Sequence, residues 1–153
     1  MEYAIDKSMD VVVNGDTQNI RIRAEREGLP VILFIHGGPG VCDRHFVLDN
    51  QSSLAHDFTM VCWDQRGSGK SYRKDIQKQK LSVKTYVDDA EAVIDILREM
   101  FGQDKIVIAG HSWGTVIGTA LAVRCPQKIA AYVAQGVFVD GAENEAESYN
   151  FCV

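Results

Sequence analysis

The residues best suited to chemistry are Gly110-His111-Ser112-Trp113-Gly114, a G-x-S-x-G pattern. The pattern directly follows one apolar run and directly precedes a helical one. In that context the serine occupies a strained strand-to-helix turn, flanked by glycines because side chains there would clash. The turn exposes the Ser112 hydroxyl, and the start of the following helix favours negative charge developing nearby. This predicts Ser112 as the nucleophile of an acyl transfer; the plainer alternative is a Gly-rich turn with an incidental serine. A second Gly-rich segment, His36-Gly37-Gly38-Pro39-Gly40, ends another apolar run. Such a turn can present a backbone N–H to an oxyanion because no side chain shields it; its plainer alternative is a tight loop with no ligand. A serine hydroxyl also needs a base to take its proton, and a carboxylate normally orients that base. The four histidines are His36, His45, His56 and His111, all before Ser112. Neighbours along an elbow project in different directions, so His111 is not expected to reach the Ser112 hydroxyl. His45 and His56 are expected to flank a short helix.

The elements that must position these groups read as alternating strands and helices. Residues 10–13 and 20–23 are β-rich and separated by Asn14-Gly15, whose positive φ angles suit a tight turn, so the chain opens with a β-hairpin. Arg21 and Arg23 alternate with Ile20 and Ile22, which predicts one solvated face. Residues 31–35, 58–63, 106–109 and 130–134 are short and wholly apolar, the mark of strands in a parallel sheet covered on both faces. Between the second and third of these, Tyr86, Ala90, Val93, Ile94, Leu97 and Phe101 recur at helical spacing. Asp88, Asp89, Glu91, Asp95, Arg98 and Glu99 take the opposite face. Ser82 or Thr85 can cap the start of this helix and Gly102 its end. A second helix is predicted from Ser112 to about Arg124, stopping before Pro126. The fold class is α/β.

The 153 residues, 46% hydrophobic and 24% charged, suit one globular domain. The net charge of −5 argues against nucleic acid and anionic membrane as partners. The first seven residues carry neither a basic n-region nor an apolar h-region, and the apolar runs fall far short of the roughly 20 residues that span a bilayer. The expected address is the cytoplasm. Cys42, Cys62, Cys125 and Cys152 are scattered and form no C-x-x-C pair, so free thiols are expected rather than a disulfide frame or metal site.

Three motifs in order, His36-Gly37-Gly38-Pro39-Gly40, Trp63-Asp64-Gln65-Arg66-Gly67-Ser68-Gly69-Lys70-Ser71 and Gly110-His111-Ser112-Trp113-Gly114, give a sequence that resembles the α/β-hydrolase superfamily. Within it the match is to the proline iminopeptidase-like group of serine peptidases, from about Met9 onward. Gln135-Gly136-Val137-Phe138 is similar to the segment leaving the sixth strand in that group. The resemblance implies an α/β-hydrolase fold: a mostly parallel sheet with helices on both faces and an N-terminal β-hairpin. It implies Ser112 as the acyl-forming nucleophile, with the backbone N–H groups of Trp113 and Gly38 as oxyanion hole. It makes Asp64 and Arg66 braces of the loop beside the site, where the plainer reading is a solvated pair on a turn. His36, Gly37, Pro39, Gly40, Gly110, His111 and Gly114 become structural support. An Asp at the elbow would have pointed to dehalogenase or epoxide hydrolase chemistry; Ser112 argues against both. No metal or organic cofactor is implied.

The superfamily order is Ser, then Asp or Glu, then His, and here no histidine follows Ser112. Asp140 is a candidate acid because it follows the sixth strand, where some superfamily members carry it, although more place it after a later strand. Residues 143–151 resemble the opening of the helix into the family's cap domain. The expected organisation is therefore 1–140 as the N-terminal part of a hydrolase core, truncated after about the sixth strand, and 141–153 as the start of a cap helix. The remaining strands, the cap and the triad acid and base would lie beyond it. The apolar strand at 130–134 would then sit at a sheet edge, where self-association is expected. The leading functional expectation is a serine hydrolase that removes N-terminal residues from short peptides. Its alternatives are a small-molecule esterase or amidase of the same fold, and a non-catalytic chain that needs a complementary half.

Overall fold

The computed structural model describes residues 2–153. Strands β1 (Ile5–Val13) and β2 (Asp16–Ala24) form the antiparallel hairpin, turning through Asn14 and Gly15 at φ 48° and 78°. Both strands extend beyond the apolar segments that announce them. Polar residues carry the extension: Arg21 and Arg23 pair with Asp6 across the ladder, and the buried Gln18 continues β2 because its amide has partners in the core. Arg21 and Arg23 are half-buried rather than fully solvated, with the Arg23 guanidinium stacked over Tyr3.

The hairpin joins one six-stranded sheet with β3 (Val31–Ile35), β4 (Thr59–Asp64), β5 (Ile106–His111) and β6 (Ile129–Gln135), in the order β1-β2-β4-β3-β5-β6. β2 meets β4 antiparallel, whereas β4, β3, β5 and β6 run parallel. Right after β3 the chain pairs β4 on one side, then crosses to place β5 on the other. Such a reversal of strand order opens a crevice at the carboxyl ends of the parallel strands.

Alternate strand residues face two cores. Leu33, Ile35, Val61, Trp63, Ile106 and Ile108 pack against α2 (Val83–Phe101) and α3 (Trp113–Arg124). Ile32, Met60 and Cys62 face the other way, against Leu48 of α1 (Arg44–Asn50) and Ala55 of the 3-10 turn that follows. His45 lies within α1 and His56 ends that turn. Helix α2 is closed by a Ser82–Thr85 capping box and by Gly102 in the left-handed region, so both candidate N-terminal residues take part in the cap. A last helix, α4 (Gly141–Cys152), buries none of its residues. All four cysteines are free thiols. Among the described residues no helix is long and apolar enough to cross a membrane.

One expectation needs correcting. Asp89 belongs to the buried side of α2, not to its charged face, and is 1% exposed. Its carboxylate receives two hydrogen bonds from Arg66, at 2.7 and 2.9 Å, one from Gln18 at 2.8 Å and one from Asn14 at 2.9 Å. Gln18 in turn accepts from the Trp63 indole at 2.7 Å. A carboxylate satisfied this fully tolerates burial that a lone charge would not. Removing Asp89 leaves the buried Arg66 charge with only Asp16, at 3.6 Å, as a counter-charge, and loss of one partner of a buried pair typically costs about 3–5 kcal/mol. Asp89→Ala is therefore expected to lower the urea midpoint steeply. Lys84→Ala, which breaks only an exposed pair with Asp88, is expected to change stability by under about 0.5 kcal/mol.

Candidate active site

The carboxyl ends of β3, β4, β5 and β6 bring four loops together. Ser112 sits in the turn between β5 and α3 at φ 52° and ψ −118°, a backbone region that non-glycine residues rarely occupy. Close packing holds it there. A Cβ on Gly114 would overlap the Ile35 carbonyl at the end of β3, and one on Gly110 would lie 2.6 Å from the Gly114 carbonyl oxygen. The Ser112 N–H donates to Gln135 O of β6 at 2.9 Å, and the Ser112 carbonyl accepts from the Thr115 N–H and hydroxyl at 2.8 and 2.7 Å. The backbone is thus tied on both sides. Among the described residues the Ser112 hydroxyl neither caps α3 nor makes another hydrogen bond, and it stands at the positive end of a helix dipole.

The Gly-rich loop after β3 lies against this turn. The Cβ position of Gly37 would touch Ser112 Cβ and His111 Nδ1, each at 3.3 Å. Gly38 has φ 124°, and a side chain there would run into the Gly40 amide. Pro39 and Gly40 complete the turn, with Val41 N–H donating to Gly37 O at 3.3 Å. Among the described residues neither the Gly38 nor the Trp113 amide donates to a protein acceptor. The two amides proposed for an oxyanion are therefore uncommitted donors, on loops that meet beside Ser112.

The end of β4 and the segment that follows it support both loops. Asp64 is 1% exposed, and its carboxylate accepts from Arg44 at 2.8 Å, from the Lys70 N–H at 2.8 Å and from the Cys42 thiol at 2.9 Å. Burial and the adjoining Asp64 carboxylate push the Cys42 thiol up to about 11. Arg66 turns the opposite way, into the Asp89 cluster, so both charges are buried rather than solvated. Gln65 lies between them, fully buried and without any motif signal of its own that pointed to a role. Its backbone N–H donates to His36 Nε2 at 3.1 Å, its side-chain amide donates to His36 O at 2.8 Å, and its side-chain carbonyl accepts from the Trp113 indole at 3.2 Å. The Trp113 ring also meets Tyr86 edge to face at 5.7 Å.

None of the four histidines hydrogen-bonds the Ser112 hydroxyl among the described residues. His36 is committed to the Gly37 carbonyl, Ser68 and the Gln65 amide, and His56 to Glu25. His111 ends β5 with its side chain exposed. Asp140 is the N-cap of α4, its carboxylate accepting from Glu143 N–H at 3.0 Å. Among the described residues no three His, Cys, Asp or Glu side chains converge as a metal-binding group.

Burial of His36 is expected to make folding stability pH-dependent. Burial disfavours the imidazolium and holds its pKa below the ordinary 6.5. Between the folded and unfolded values the unfolded chain binds a proton that the folded chain refuses, so this contribution is present above about pH 6.5 and is lost as pH falls. The urea midpoint is expected to decline from pH 7 to pH 5, and to decline less in His36→Gln. An equally steep decline in that variant would assign the effect elsewhere.

Comparisons with known proteins follow the same lines. Residues 30–150 match the family model described as alpha/beta hydrolase fold. A probable aminopeptidase of Bacillus subtilis, YbaC, is 34% identical over 120 residues, which cover 78% of this chain and 38% of that protein. The proline iminopeptidase of Neisseria gonorrhoeae is 33% identical over 118 residues, covering 74% of this chain and 34% of its own. The chain thus spans little more than a third of the length of these relatives. An epoxide hydrolase of Vigna radiata superposes with a TM-score of 0.69 at 28% identity, over 94% of this chain and 46% of the other. A haloalkane dehalogenase variant from Bradyrhizobium elkanii, at 23% identity and a TM-score of 0.71, shares the fold over 97% of this chain and 50% of its own. With the elbow, the Gly-rich loop and the sheet order already in place, the family match settles the assignment: the chain belongs to the α/β-hydrolase fold family.

Proposed function

We propose that the chain carries the nucleophile and oxyanion hole of a serine hydrolase that removes N-terminal residues, proline among them, from short peptides. The observation that carries this reading is Ser112, held at positive φ with its hydroxyl unengaged beside the uncommitted amides of Gly38 and Trp113. The names of the relatives, an aminopeptidase and a proline iminopeptidase, favour a peptide substrate. In the reaction the Ser112 oxygen bonds to the scissile carbonyl carbon while a base takes its proton. The two amides hold the tetrahedral oxyanion, the C–N bond breaks, and the amine leaves with that proton. Water then hydrolyses the acyl-serine and releases the acid.

The base and its orienting carboxylate are proposed to come from outside residues 1–153, since His36 and His56 are engaged elsewhere and neither His45 nor His111 bonds Ser112. Two other readings remain open to the same test: an esterase or amidase for small molecules, and a chain without catalysis. Without a base the oxyanion hole alone would leave roughly 10³–10⁴-fold acceleration over water, far below a working peptidase.

The discriminating measurement is intact mass after incubation with a fluorophosphonate, followed by hydrolysis of proline-linked and acetyl-ester reporters. One adduct that disappears in Ser112→Ala supports an activated nucleophile, and faster turnover of the proline reporter supports the peptidase reading. A folded chain with no adduct would show that residues 1–153 supply no base to Ser112 and are without catalysis on their own.

We also propose that β6 mediates association. Among the described residues it pairs only with β5 and leaves Ala130, Ala131, Val133 and Ala134 accessible on a strand without charge. Edges of this kind template pairing with another chain. Sedimentation velocity is expected to show concentration-dependent association that Val133→Lys weakens; a monomer at high concentration would contradict it.

A further inference from the structure

We infer that Gln65 is the positioning residue that fixes the spacing between the two oxyanion donors, an inference that rests on the proposed oxyanion role of Gly38 and Trp113. Those donors belong to separate segments, one leaving β3 and the other opening α3. Gln65 is the buried side chain that hydrogen-bonds both. Its NH₂ group donates to the carbonyl of His36, two residues before Gly38, and its carbonyl oxygen accepts from the indole of Trp113 itself. Its backbone N–H adds a third bond, to the His36 ring. The Gln65 backbone is anchored in turn, because its carbonyl accepts from the Ser68 N–H at 2.9 Å and the Ser68 hydroxyl at 2.7 Å.

The chemistry of the amide is specific to this place. One end must donate, because it faces a backbone carbonyl; the other must accept, because an indole N–H is a donor only. A glutamate of the same shape keeps the acceptor for Trp113 but sets a second acceptor against the His36 carbonyl. A leucine supplies neither. In a dry site these bonds are strong when made and costly when broken, so the amide holds two loops in register that have no covalent reason to be. Displacing a catalytic group by about 1 Å can cost on the order of a hundredfold in rate. A positioning role therefore predicts a large effect from a residue that need not touch substrate.

The chain has two tryptophans, and this supplies an internal control. The Trp63 indole donates to Gln18, within the Asp89 cluster and away from this brace. Nitrogen-15 NMR of the chain, unliganded, reads both indoles and the Gly38 and Trp113 amides directly. In Gln65→Leu the Trp113 indole resonance is expected to shift upfield and to exchange faster with solvent, the Gly38 and Trp113 amides to shift and broaden, and the Trp63 indole to stay in place. In Gln65→Glu the Gly38 amide should move while the Trp113 indole stays bonded. Trp113→Phe breaks the brace from the other side without altering Gln65, and the Gly38 amide should move there too. Should Gln65→Leu fail to fold, the other two variants still decide the matter. A Gly38 amide unmoved in both of them would overturn the inference.

The rate of fluorophosphonate labelling at Ser112 gives the functional readout, with an expected loss of about tenfold to a hundredfold in Gln65→Glu. Undiminished labelling in that variant would also overturn it. If the unaltered chain takes no label, residues 1–153 supply no base to Ser112 and the labelling arm reads only on the proposed activity. The NMR arm still stands, and it tests whether Gln65 holds the two amides together.

Discussion

The close approach of α3 to the end of β3 is the constraint on which the rest of the site depends. Gly114 presents bare backbone to the Ile35 and His36 carbonyls, at a separation no side chain would allow. β3 and β5 are adjacent and parallel, with Ile35 level with Gly110, so a helix that starts this close to the sheet must leave β5 through a very sharp turn. The residue at the corner then has no room for ordinary strand or helix dihedrals. Ser112 takes φ 52° as a result, its side chain is thrown outward, and its hydroxyl is spared from capping duty. The local strain is borne by the packing on either side, and by the bonds from Gln135 and Thr115 that clamp the Ser112 backbone.

Three consecutive residues at the end of β4 distribute that geometry across the molecule. Asp64 gathers Arg44, Cys42 and the Lys70 amide, and so holds the loop after β4 to the start of α1. Gln65 links the β3 loop to α3. Arg66 reaches the other way, to Asp89 on α2 and the Val13 carbonyl at the hairpin turn. Their backbone leaves one strand, yet their side chains end in three different regions. Among the described residues no buried side-chain nitrogen or oxygen lacks a partner. A network satisfied this fully specifies one arrangement of the elements, because each alternative leaves a buried donor or acceptor unmet.

This explains which features could be read from the residues and which could not. Strands β3 and β4 and helix α2 were legible because burial on both faces produces unbroken apolar runs, and burial on one face produces a helical period; α3 was legible from the elbow before it and Pro126 after it, and the apolar run of β6 stands without burial among the described residues. The elbow was legible because Gly110 and Gly114 record a steric demand directly. Gln65 and Asp89 were not legible. A glutamine inside a motif and an aspartate beside Asp88 carry no periodic signal, and their burial is decided by partners 48 and 75 positions away in the chain, Trp113 and Asn14. The length of β2 was hidden for the same reason: Gln18 looks like a loop residue until Trp63 and Asp89 are found beside it.

The separation between geometry and proton transfer has a physical basis. Every contact that shapes Ser112, Gly38 and Trp113 runs between β3, β4, β5, β6 and the helices packed on them, and none involves a base. Preorganised donors need no reorganisation at the moment of reaction, so an oxyanion hole can be complete before any group able to take the serine proton is in place. A histidine base acts differently: it must reach the hydroxyl, and it needs its own orienting partner. His36 lies near the elbow and fails on chemistry, because its ring is spent on the Gly37 carbonyl and the Gln65 amide. His111 is adjacent in sequence to Ser112 yet ends its strand pointing to solvent. The nearest histidines thus belong to the loops and strand end around Ser112 and do not engage its hydroxyl.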